Sequence, residues 1–202
     1  MRLAWLRGAW RRLLLSALLL GFAWVAGRQA LGNYLALAPR AYLADAQLPG
    51  AKPAAADLDT AIAQLQRAGA VDPSDPDVAA GLGQARLLLA AQAAGAQRLG
   101  LIDAALADYR RATTLRPNSP YLWAALMSAL YARSRLQPLD HAQTAELAQA
   151  LRRAVRLGPW EPDVLLEVVN VGPAVYAGLD ARARAALQLA AQHALALQLQ
   201  DG

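Results

Sequence analysis

Two histidines, His141 and His193, are the side chains best suited to move protons near neutral pH or to hold a metal. They stand 52 residues apart, and neither has a partner at the His-x-x-x-His spacing that puts two imidazoles on one helix face. His141 follows Asp140 at a predicted helix start and reads as a solvated first-turn residue. His193 falls in an amphipathic helical pattern, as a surface or packed residue. Asp72, Asp75 and Asp77 resemble an oxygen cage for calcium, but the glycine and distal glutamate of a calcium loop are missing, and turn and capping roles account for these acids. Gly81-Leu82-Gly83 sits in a helical stretch without the strand and third glycine that a phosphate cradle needs. With no cysteine, the chain holds no thiolate zinc site, iron–sulfur cluster or cysteine nucleophile. General acid–base work needs positioned carboxylates or histidines, and none are so arranged. The expectation is a non-enzyme with no catalytic residue, metal or cofactor.

Charge separates the chain into two parts. The formal net charge of +5 belongs entirely to residues 1–28, which carry five arginines (Arg2, Arg7, Arg11, Arg12, Arg28) and no acid. Residues 29–202 hold fifteen basic and fifteen acidic residues, so the footprint that drives phosphate binding is lacking and no nucleic-acid partner is expected. Residues 13–27 form an uncharged run between Arg11-Arg12 and Arg28. It spans about 22 Å as a helix, short of the roughly 30 Å hydrocarbon core. Two readings stand, a retained anchor and a cleaved signal peptide. Retention is favoured because Trp24, Arg28 and Gln29 occupy positions where a cleavage site wants small residues. Helix formers also continue past Arg28, so one helix could leave the bilayer unbroken. Trp5, Trp10 and Trp24 suit membrane interfaces, and arginine stems lengthen the span by snorkelling. The alternative, an apolar helix inside a soluble core, would place four arginines beside that core. With four arginines (Arg2, Arg7, Arg11, Arg12) before the run and only Arg28 and Arg40 following closely, the positive-inside rule expects a single pass through the inner membrane, the N-terminus cytoplasmic and the rest periplasmic.

Past this segment the chain repeats. Proline doublets stand at Pro73/Pro76, Pro117/Pro120 and Pro159/Pro162, with first prolines 44 and 42 residues apart. The first proline of each closes a helix, and the second opens the next, where its missing N–H costs nothing. Asp75, Ser119, Asp140 and Asp180 are predicted N-caps, whereas Glu161 is a poor one. Upstream of each doublet the apolar spacing is helical: Ala61, Leu65, Ala68; Ala105, Tyr109, Ala112; Leu147, Leu151, Ala154. Predicted helices cover 3–27, 29–47, 54–70, 76–94, 99–115, 120–135, 141–157, 162–176 and 181–199. No alternating β-branched stretch is long enough for a sheet. The fold class is all-α, an N-terminal transmembrane helix (1–28) followed by one unit of stacked antiparallel helix hairpins (29–202).

Ala105, Tyr109, Ala112, Leu115 and Pro117 resemble the second helix of a tetratricopeptide repeat and its closing proline. Trp123 and Leu126 resemble the start of the following first helix, and Leu82-Gly83 resembles the Leu-Gly pair of the preceding one. The last unit departs, with Leu147 for the usual alanine and Val168-Val169 for Leu-Gly, and the 42–44 period exceeds the family's 34. The likeness covers about residues 55–170. It implies a ligand-facing inner wall made of Asp77, Ala80, Gln84 and Leu87 in one unit. The next two units supply Tyr121, Ala124, Ser128 and Tyr131, then Asp163, Leu166 and Asn170. Ordinary packing is the alternative for the Tyr and Leu positions. No Lys or Arg falls in this set, so the family's carboxylate clamp is not expected, and a neutral, aromatic-containing groove suits peptide or glycan contact. Arg110-Arg111 and Arg152-Arg153 read as solvated faces paired within their helices.

The layout of anchor plus short helical repeat, with the run Leu157-Gly158-Pro159-Trp160-Glu161-Pro162, resembles accessory proteins of bacterial exopolysaccharide biosynthesis and export. That resemblance implies an adaptor for a protein partner in envelope assembly, with Trp160 as the favoured contact residue or else a staple across its turn. Two alternatives stay open: a cytochrome- or pilus-biogenesis chaperone, and a self-associating structural module. In the second, the face Ala185, Leu189, Ala196, Leu199 of the final helix caps the stack, fills the groove or docks a second copy.

Overall fold

The computed structural model describes residues 2–48 and 50–200, and the side-chain surroundings of 14–48 and 50–198. Every regular element among them is helical: α1 (Arg2–Asp45), α2 (Ala55–Val71), α3 (Pro76–Gln92), α4 (Gly95–Leu115), α5 (Pro120–Ser134), α6 (His141–Leu157), α7 (Pro162–Val175) and α8 (Ala181–Gln200), with a 3₁₀ turn at Tyr176–Gly178. The second proline of each doublet is the first residue of its helix, at Pro76, Pro120 and Pro162. The helices before the doublets close identically. The N–H groups of Asp72, Arg116 and Gly158 donate to the carbonyls of Ala68, Ala112 and Ala154.

Two predicted boundaries move. The expected pair 3–27 and 29–47 is one unbroken helix of 44 residues, α1. Nothing at Arg28 interrupts the backbone, and even Pro39 is carried inside. Helix α4 starts at Gly95, earlier than the predicted residue 99, because Gly95 adopts φ +56 and reverses the chain there. The α3–α4 connection thus shrinks to Ala93 and Ala94.

Successive helices run antiparallel. Asp77 at the start of α3 meets Arg116 at the end of α4, and Arg133 at the end of α5 meets Gln143 at the start of α6. The predicted small–large–small faces are the buried ones: Ala61/Leu65/Ala68, Ala105/Tyr109/Ala112 and Leu147/Leu151/Ala154 are each at most 5% exposed. Alanines let the helix axes approach while Leu and Tyr fill the space between. Gly83 has the same purpose at closer range. A Cβ there would stand 2.8 Å from the Tyr109 ring, so the Leu82-Gly83 pair is where α3 admits the α4 tyrosine.

The final helix corrects one expectation. Helix α8 packs on α6 and α7 and buries Ala183, Leu187 and Ala190. Of the predicted face, Ala185 is exposed and Leu189 is 42% exposed, Ala196 is half-buried, and the Leu199 side chain lies outside the described residues. The stripe is rotated because Gly172 lets Leu187 in against α7, which sets which side of α8 turns inward.

Residues 14–31 are all exposed, including Leu18, Phe22 and Trp24. This half of α1 is therefore no core helix of the chain, and it is long and apolar enough to cross a membrane. The packed stack begins immediately after it. Arg28 Nε donates to the Val71 carbonyl at 3.0 Å, and at Gly32 the end of α2 comes so close that a Cβ would meet Asp72. Asp72 in turn accepts from the Ser74 hydroxyl at 2.6 Å, and this bond, the Ser74 N–H and the Arg28 charge hold its carboxyl below the usual range against desolvation. No linker separates the apolar half of α1 from the repeats. Arg11 and Arg12, named as anchor residues, have side chains outside the described set.

Candidate functional site

Three repeats turn their first helices toward one concave side. The groove there has a volume of about 440 Å³. Gln84, Leu87 and Leu88 of α3 form one wall, Tyr121, Ala124, Ala125 and Ser128 of α5 the floor, and Asp163, Val164 and Glu167 of α7 the other wall. Gln47, just past α1, and Tyr109 of α4 complete it.

The bonds along the groove tie together residues 39 to 41 positions apart, a little less than the 42–44 spacing of the prolines. Gln84 Nε2 donates to the Leu43 carbonyl at 3.1 Å, 41 residues away. Tyr121 donates to Glu161 at 2.5 Å, 40 residues away, and Ser128 contacts the Glu167 carboxylate, 39 residues away. Ser128 has one proton for two acceptors, the Ala124 carbonyl at 3.1 Å and Glu167. The bond to Glu161 raises the Tyr121 hydroxyl above its ordinary pKa, assisted by desolvation and the nearby Asp163 charge. Glu161 therefore serves Tyr121 and makes no side-chain cap bond to α7, which accounts for a poor capping residue at that position.

Tyr109 is only 5% exposed yet contributes to the lining, and its hydroxyl makes no hydrogen bond among the described residues. Burial first, then the charges of Asp108 and Glu167, push its hydroxyl far above the ordinary tyrosine range, so it stays a neutral phenol. Asp163 is exposed and enters no ion pair among the described residues, and neither does Glu167. Two carboxylates and no Lys or Arg line the groove. It is acidic, which corrects the neutral character expected from sequence, because Glu167 lies one turn beyond Asp163 and is not one of the positions the repeat resemblance implies.

Of the predicted groove residues, the structure brings together Gln84, Tyr121, Ser128 and Asp163, with Leu87 and Ala124 beside them. The others do not line it. Asp77 is bound by the Arg116 guanidinium at 2.7 and 3.0 Å, holding the start of α3 to the end of α4. Tyr131 packs half-buried against the main core, with the Arg135 guanidinium 5.9 Å from its ring. Asn170 stands exposed on α7, beyond Glu167.

Trp160 is a staple. Its ring, 56% exposed, stacks on His193 at 3.9 Å between centroids and 8° between planes. His193 Nδ1 lies 2.6 Å from the Pro159 carbonyl. A carbonyl only accepts, so Nδ1 carries the proton of that bond. The turn between α6 and α7 is thereby tied to α8, a pairing across 33 positions that no local motif announces. His141 is an exposed first-turn residue of α6. Among the described residues no three His, Asp or Glu side chains are grouped to hold a metal ion.

The paired arginines are not intrahelical. Arg110 forks onto Glu146 of α6 at 2.8 and 2.6 Å, and Arg111 donates to the Pro73 carbonyl at 2.7 Å. Arg152 pairs with Asp180, the residue before α8, and Arg153 lies 5.3 Å over the Trp123 ring. Arg110 and Arg152 join one repeat to another, Arg111 reaches the turn before α3, and Arg153 joins the two helices of its own repeat.

Comparison with protein-family models and with curated proteins finds no match for this sequence.

Proposed function

We propose that this chain is a single-span, membrane-anchored adaptor that resembles tetratricopeptide-repeat proteins and holds a segment of a partner protein in its concave groove. The observation that carries the reading is the groove itself, lined by the first helices of three successive repeats and joined rigidly to an apolar helix with no intervening linker. A pocket of about 440 Å³ fits a few side chains of an extended or helical segment, within the usual range of binding clefts. The arginine asymmetry around residues 13–27 supports an inner-membrane address with the repeats periplasmic. The Leu157–Pro162 run supports exopolysaccharide biosynthesis or export as the assembly served. A groove filled by the chain's own last helix has no support, since α8 lies against α6 and α7.

The test is site-specific photocrosslinking in the native envelope from Ala125 on the groove floor and from exposed Arg182 on α8. The expected result is an adduct with a polysaccharide polymerase or export component from Ala125 and none from Arg182. An adduct with a cytochrome-maturation or pilin protein would replace the pathway, and one of twice the chain's own mass would replace the adaptor with a self-associating module.

A further inference from the structure

The acidic wall of the groove has a chemical consequence for its occupant. Asp163 and Glu167 stand four residues apart on α7, so their carboxylates project from neighbouring turns of one face. The six ion pairs of the described residues all use other acids, namely Asp75, Asp77, Asp103, Asp108, Glu146 and Asp180. Helix α7 has no Lys or Arg, and the one cation on the neighbouring wall helix, Arg86 of α3, is engaged by Asp108. A second feature is independent of these acids. The Tyr109 side chain, 5% exposed, reaches the groove from α4 with its hydroxyl unpartnered among the described residues. Among the described residues the fully buried side-chain atoms without a partner are Arg40 Nε, Tyr42 Oη, Arg98 Nε and Arg184 Nε, so the Tyr109 hydroxyl is open to the groove and can bond to what enters it.

From this we infer that the groove takes a polypeptide segment bearing a Lys or Arg side chain, whose cation sits between Asp163 and Glu167 while the segment bonds to the Tyr109 hydroxyl. An ammonium or guanidinium satisfies two carboxylates at once, and a guanidinium does so with paired N–H groups. The methylene stem of either has Leu87 and Ala124 to lie along. An acidic segment would bring a third negative charge into a partly desolvated site, and a purely apolar one would cover Asp163 and Glu167 without a counter-charge and displace water from the Tyr109 hydroxyl. The inference rests on the groove reading, and goes beyond it by fixing the charge of what enters.

The test passes a randomised nonapeptide library over the full chain in zwitterionic nanodiscs and sequences the retained pool. Lys plus Arg should be enriched about fivefold over Asp plus Glu, the size expected of a half-exposed ion pair. Enrichment should weaken at high salt and vanish in the isosteric variants Asp163→Asn and Glu167→Gln. Tyr109→Phe should lower total retention while leaving the preference for cations. Retention without cation preference, or with preference unchanged in both carboxylate variants, overturns this inference but leaves the groove as a peptide site. No retention above empty nanodiscs overturns both.

Discussion

Gly83 and Gly172 are both helical glycines that face a large buried side chain of the following helix, and neither leaves room for a Cβ. Opposite Gly83 is the flat Tyr109 ring, locked in the core with two atoms within 2.9 Å of an added Cβ. Opposite Gly172 is the buried Leu187, whose Cγ as well as both methyl groups would stand within 3.0 Å of an added Cβ. Replacing a helical glycine with alanine gains about 1 kcal/mol of propensity, whereas overpacking a rigid core costs about 1–3. Gly83→Ala and Gly172→Ala should therefore each destabilise by about 1–2 kcal/mol, the second by loosening α8. Denaturant unfolding of the full chain in detergent measures both, and a Gly83→Ala variant as stable as the parent would mean that the ring moves.

Helix starts in this chain are secured in two different ways. Asp140 caps α6 with a full capping box, its carboxylate accepting from the Gln143 N–H at 2.8 Å while the Gln143 side chain accepts from the Asp140 N–H. Asp75 caps α3 by accepting from Asp77 and Val78. Ser119, expected to do the same for α5, makes no side-chain cap bond. Pro120 already presets the backbone there. Asp140→Ala should thus cost about 1 kcal/mol and Ser119→Ala only a few tenths. Hydrogen exchange in the first turns of α6 and α5 distinguishes the two, and equal losses would show that the Ser119 hydroxyl caps after all.

Across the whole molecule, a stack of helix pairs leaves its last apolar face open unless something closes it, and α8 closes this one. Its docking depends on Leu187 against Gly172, on the Trp160–His193 stack, and on Asp180. That carboxylate accepts from the Ala183 N–H at 2.7 Å and pairs with Arg152 of α6. The first bond is the larger cause, and the Arg152 contact a lesser one, holding the Asp180 carboxyl below its usual range despite some desolvation. A depressed carboxyl stabilises the folded state fully above its unfolded value of about 3.9, and the benefit is lost as pH falls through the lower folded value. Protection of α8 amides should accordingly fall as the pH drops below about 4, and Asp180→Asn should remove that dependence while lowering protection at neutral pH. If acid loosened α8 equally in Asp180→Asn, another group would be responsible.

The all-helical class, the positions of α2 to α8, the small–large–small buried faces and the apolar N-terminal stretch are all legible in the sequence. Each depends on neighbours within about one or two turns: a proline that cannot continue a helix, a periodicity of three and four, an uncharged run between arginines. The repeat also made part of the groove legible, because Gln84, Tyr121, Ser128 and Asp163 occupy related positions on helices that stack. What the tertiary structure alone decided is how those helices rotate against one another. That rotation brings in Glu167, Tyr109 and Gln47, sends Asp77 to Arg116 and Trp160 to His193, and turns Ala183, Leu187 and Ala190 of α8 inward. Asp77 and Arg116 stand 39 positions apart and Trp160 and His193 33, pairings that helical periodicity cannot encode. They follow from which side chains are small enough, at Gly83 and Gly172, to let a neighbouring helix come close.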